Sequence, residues 1–141
     1  MQKALSLTEK VHGNGHPRMA IALNNLAGLY TEKRPPEREK AISLYLRSLK
    51  INKKNLRPNH PDVAIVLNNI AMLYSDLKKL NKAEKFYLES LGILRKEKST
   101  ESNSSLVNVV SNLGTLYYQQ KRYRKAEEFL SEGLILRQRM G

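Results

Sequence analysis

The chain has 141 residues and a formal net charge of +12, enough length for one domain and about three helical repeats. It has no cysteine, which excludes disulfides and thiolate metal sites and suits a reducing, cytoplasmic setting. No run approaches ~18 apolar residues, so no membrane insertion is expected, and the opening MQKALSLTEK lacks the apolar core of a signal peptide.

In chain order, residues 1–11 are predicted helical on Ala4, Leu5 and Leu7, and HGNG (12–15) is predicted as a turn. Pro17 suits the first turn of a helix over about 18–32. Pro35 and Pro36 end it, since prolines cannot continue a helix. Pro36 is expected to start the next, with Glu37 and Glu39 near its positive end, and that helix runs to about Asn55. A third helix is predicted from Pro61 and Asp62 to about Lys78. Lys78, Lys79 and Leu80 then fill a turn with no glycine, so a blunter corner is expected. Asn81 is the expected cap of a helix reaching about Lys98. STESNSS (99–105) reads as a polar, flexible connection. The last pair is predicted at about 106–120 and 123–139.

One stretch recurs. Leu23–Tyr30 reads LNNLAGLY, Leu67–Tyr74 reads LNNIAMLY and Val110–Tyr117 reads VSNLGTLY, at intervals of 44 and 43 residues. Such a period signals stacked helix pairs. Within the middle copy Leu67, Ile70, Ala71 and Tyr74 fall on one helical face. Ala83 and Ala126 each follow the repeat tyrosine by nine residues, and Ala41 follows Tyr30 by eleven. A small residue there lets the second helix lie close against the first.

This spacing is the tetratricopeptide signature. With LNNLA-x-LY, and His16-Pro17 and His60-Pro61 ahead of first helices, the chain resembles the long repeat of the kinesin light chain family. The implied fold is all-α, a right-handed superhelical solenoid of antiparallel helix pairs. The expected division is the end of a preceding repeat (1–15) and repeats at 16–59, 60–102 and 103–141, a fragment of a longer array.

Asn25, Asn69 and Asn112 recur at the repeat period; Asn24 and Asn68 precede the first two, where the third copy has Ser111. Polar residues are unfavourable inside helices, so their recurrence needs a cause. One is a hydrogen bond between neighbouring helices. The other is a groove on the inner wall, where an amide both donates to and accepts from a peptide backbone. The resemblance implies the second for Asn25, Asn69 and Asn112. It also implies an arginine near the end of the second helix that holds acidic residues, here Arg95 (LRKE) and Arg137 (LRQR). The earlier copies have Asn52 and Thr8 at that place. Around each inner asparagine stand Ile21, Ile65 and Asn108 one turn before, and Gly28, Met72 and Thr115 one turn after. Small, apolar and amide groups suit an extended peptide.

No motif for catalysis, phosphate cradling or metal binding is present, and no cofactor is expected. His60 and Asp62 lack a third ligand nearby. The chain is therefore read as a non-enzymatic adaptor for an acidic peptide. A structural scaffold, self-associating end to end through open repeat ends, is the first alternative. Nucleic-acid binding is the second. It would use the stripe from Lys33 to Arg57, nine cations against Glu37 and Glu39. Few aromatics stand outside core spacing, which argues against base stacking.

Overall fold

A computed structural model describes residues 15–97 and 100–140. Its described residues form six helices: α1 (Pro17–Glu32), α2 (Arg38–Asn55), α3 (Pro61–Asp76), α4 (Leu80–Lys96), α5 (Thr100–Gln119) and α6 (Tyr123–Met140). The expected helix over 1–11, and residues 12–14 of the turn expected at 12–15, lie outside the described residues. The chain divides into two compact units, one ending at Pro58 and one beginning at Asn59.

In the first unit α1 packs along α2. Met19, Ala20, Leu23 and Ile51 form a core cluster, with Leu44 against it. Ala27 and Ala41 are fully buried, as close helix approach requires. Ser48 is buried as well and donates from Oγ to the Ala20 carbonyl at 3.2 Å. His16 caps α1: its Nδ1 accepts from the Arg18 N–H at 3.1 Å. His60 does the same for α3, accepting from the Asp62 N–H at 3.0 Å. Each histidine thus satisfies a first-turn N–H that has no partner within the helix.

The second unit repeats the device. The pairs α3–α4 and α5–α6 each pack together, and α5 also lies against α4 and α3. Ala83 and Ala126 are buried. Ser90, at no exposure, donates to the Ala64 carbonyl at 2.8 Å. Its counterpart in α6 is Gly133, where an added Cβ would stand 2.9 Å from Ser111 Oγ. Tyr74 stacks on Phe86 at 5.6 Å and Tyr117 tilts on Phe129 at 5.5 Å.

Several expected boundaries move. Pro36 does not open α2; the helix begins at Arg38 after Glu37, which makes no side-chain cap. Asn81 is not a cap but lies inside α4, which starts at Leu80 after Lys79. The segment 99–105 is not a loop from Thr100 on, because α5 continues backward from its buried face through polar residues. The glycine-free corner is tight after all. Lys78 (φ 63°) and Lys121 (φ 61°) adopt the left-handed conformation. The Lys79 N–H reaches the Tyr74 carbonyl at 2.9 Å, and the Arg122 N–H the Tyr117 carbonyl at 2.8 Å. These bonds to otherwise orphaned carbonyls offset a conformational cost of about 1 kcal/mol.

Buried tyrosines make the fold sensitive to alkali. Burial raises the Tyr45 hydroxyl and, further, that of Tyr87. Burial, then the bond to Glu84, pushes Tyr117 up to about 12. A raised folded value favours the protonated native state, so this stability is complete below pH ~10 and is lost as pH climbs past it. Melting temperature is expected to fall between about pH 10 and 12, less steeply in Tyr117→Phe. Equal slopes in both proteins would remove Tyr117 from the account.

Candidate peptide-binding face

The candidate residues sit mainly on the first helix of each pair. In α3, Ile65, Asn69 and Met72 share one face at i, i+4 and i+7. Ile65 and Met72 are both 44% exposed, and Asn69 is half-buried. In α5 the corresponding row is Asn108 and Thr115, both exposed, with Asn112 half-buried between them. In α1 it is Ile21 and Asn25, both exposed, with half-buried Gly28.

The asparagines fall into two kinds. Asn112 donates from Nδ2 to Asn68 Oδ1 at 3.2 Å, a tie between α5 and α3. Asn68 in turn points its Nδ2 at the Met72 sulfur, 3.8 Å away. Asn25 and Asn69, by contrast, make no side-chain hydrogen bond among the described residues. The Oδ1 of Asn24 is buried and also lacks a partner among them.

Arg95 is occupied. Its Nη2 meets both carboxylate oxygens of Glu132 on α6, at 3.0 and 3.2 Å. The two side chains are 51% and 36% exposed. An ion pair this wet is worth at most about 1 kcal/mol, so an incoming carboxylate displaces it at little cost. Arg137 is exposed, but it follows Ala126 by eleven residues, whereas Arg95 follows Ala83 by twelve. In two unbroken helices that places Arg137 at the register of buried Leu94, and Gln138 at that of Arg95.

The basic stripe of the first unit is partly neutralised. Glu37 takes Lys33 at 3.0 Å and Lys40 at 3.3 Å. Those hydrogen bonds, Lys33 first, hold its carboxyl below the usual range. Farther along, Arg47, Lys50 and Lys54 line a cavity of about 320 Å³ with Gly15 and Ile51. Among the described residues no cluster of three metal-ligating side chains occurs, and no helix is long and apolar enough to cross a membrane.

Sequence reasoning missed two groups of residues. The buried serines Ser48 and Ser90 carry a legible signal, since each stands seven residues after its pair's alanine. Tyr118 and Tyr123, both exposed, carry one too, since they stand off the repeat tyrosine, where the preceding repeat has Ser75 and Leu80.

Tight helix pairs repeated with one set of contacts define an all-α repeat solenoid, a protein-interaction scaffold. Tetratricopeptide repeat profiles match residues 37–96 and 108–140. The chain belongs to the tetratricopeptide repeat family. It superposes on BtubC (BKLC) from P. vanneervenii with a TM-score of 0.91 at 23% identity, over 99% of this chain and 54% of that one. Two structures of the kinesin-light-chain-type TPR-like repeats of Podosopora anserina, one of them a point-substituted form, give 0.82 and 0.81 at 19% identity. They cover 98% of this chain and 64% of those. At such identities the likeness establishes the fold. The chain spans between about half and two thirds of the length of these structures. No curated protein matches it in sequence.

Proposed function

We propose that this chain is a cytoplasmic adaptor that binds a short acidic peptide along α3 and α5, the first helices of the repeats in its second unit. The observation that carries the reading is Asn69. Its amide is half-buried and without a hydrogen-bond partner among the described residues, between two exposed apolar side chains, Ile65 and Met72. Such an amide serves a backbone N–H and C=O whatever the peptide's sequence. Asn25, which is exposed, offers the same groups on α1 of the first unit, and Asn108 and Asn112 continue the row on α5. Arg95, once released from Glu132, supplies the preference for acid. Arg137 adds positive charge without occupying the equivalent position. The likeness to kinesin-light-chain-type repeats supports an adaptor role.

The test is binding of peptide pairs that differ only in Asp or Glu against Asn or Gln. Acidic members are expected to bind tighter, and Arg95→Ala to erase most of that difference, about two- to fivefold. Stability of Arg95→Ala is expected to change by under about 1 kcal/mol. Equal affinity for charged and neutral peptides contradicts the acidic preference.

A second reading rests on α6. Leu130 and Leu134 are 40% and 61% exposed, at the register where Tyr87 and Leu91 of α4 are buried under α5. We infer self-association through this face. Sedimentation over a concentration series is expected to show a rising mass that Leu134→Glu abolishes; a constant monomer mass contradicts it.

A further inference from the structure

The two corners of the second unit are alike in charge and unlike in one other respect. Lys78, Lys79, Lys82 and Lys85 surround the first; Lys121, Arg122, Arg124 and Lys125 surround the second. Glu84 of α4 receives Arg122 at 3.2 Å and the Tyr117 hydroxyl at 2.8 Å, which sets the corners side by side. But where the first corner has Ser75 and Leu80, the second has Tyr118 and Tyr123. Their rings meet edge to face, with centroids 5.8 Å apart at 69°. They are 63% and 59% exposed, while Tyr117, the tyrosine of the repeat, is 1% exposed. Core packing therefore accounts for Tyr117 and not for its two neighbours.

The cations also divide. Arg122 is engaged by Glu84 and lies 4.6 Å over the Tyr117 ring, with Lys125 at 5.3 Å. Lys82 covers Tyr74 in the same way. Lys121 and Arg124 are exposed and make no ion pair among the described residues, and the same holds for Lys78 and Lys79.

We propose that this corner binds single-stranded nucleic acid. Tyr118 and Tyr123 form the stacking platform, and Lys121, Arg124, Lys78 and Lys79 neutralise the phosphates. An acidic peptide needs the cations but gains little from two bare aromatic rings. Every nucleobase has a face to stack, and only a single strand offers it, because duplex bases are stacked on each other. The site shares no residue with the asparagine row and lies outside the stripe at 33–57.

Fluorescence anisotropy with a labelled oligouridylate of about 12 nucleotides, at several salt concentrations, tests this directly. The single strand is expected to bind tighter than a duplex of equal length. Tyr118→Ala/Tyr123→Ala is expected to lose at least about tenfold in affinity with its salt slope unchanged. Tyr118→Phe/Tyr123→Phe keeps the rings and is expected to keep the affinity. Lys121→Ala/Arg124→Ala is expected to flatten the salt slope by about 1.4, from ~0.7 per phosphate contact. Because all four side chains are exposed, circular dichroism melts of the variants are expected to match the parent. Binding to duplex or to polyglutamate as tight as to oligouridylate overturns the proposal. So does full affinity in the double alanine variant of the tyrosines, or no binding even at low salt.

Discussion

Replacing Ala83 by leucine is expected to lower stability by about 1–3 kcal/mol and to shift the melt down by several degrees. Ala83 has no exposed surface, and neither does Ala41, its counterpart in the first pair. The residue faces α3 near the start of α4, where the helices approach closely. Three added carbons have no void to enter in an interior packed near crystal density. The helices must then separate, and separation strains more than the local contact. Ser90 lies two turns along the same face, and its bond to the Ala64 carbonyl is only 2.8 Å long. Spreading α3 from α4 lengthens that bond inside a dry contact, where a lost partner is costly. Urea unfolding measures the sum. A midpoint equal to the parent's would place Ala83 on the surface and remove the small-residue contact from the account.

Helix order and pairing were legible because the pattern that encodes them repeats. LNNIAMLY with an alanine nine positions after its tyrosine is enough to put Leu67, Ile70 and Ala71 inward and Ala83 against them. Repetition averages out local accidents. Helix ends have no such help. Thr100 to Ser105 are polar and read as a loop, yet a helix held by Val107, Val110 and Leu113 extends backward through them for little added cost. Lys78 defeats the expectation of a blunt corner, and Lys121 adopts the same conformation at the next corner, because a terminal hydrogen bond at each outweighs the left-handed strain. At the candidate site, the asparagine repeat shows in the sequence but its division does not. Asn112 is tied to Asn68, while Asn69, one position further along α3, is left without a bond among the described residues. That difference depends on how α3 and α5 lie together. No spacing rule on one helix contains it.

The same division gives the second large effect. If Asn69 holds a peptide backbone, Asn69→Ala removes one donor and one acceptor, and the peptide groups it served lose their partners in a partly dry setting. The expected loss is about 1–3 kcal/mol of binding, roughly five- to two-hundredfold in affinity. Folding stability is expected to change little, because the side chain breaks no hydrogen bond within the described fold. Asn112→Ala differs: it breaks the bond to Asn68 and is expected to cost about 0.5–1.5 kcal/mol of stability as well. The decisive measurement is therefore a paired one on Asn69→Ala, peptide affinity by calorimetry and stability by urea unfolding. The account predicts a large loss of affinity at nearly unchanged stability. A large loss of stability with unchanged affinity contradicts it.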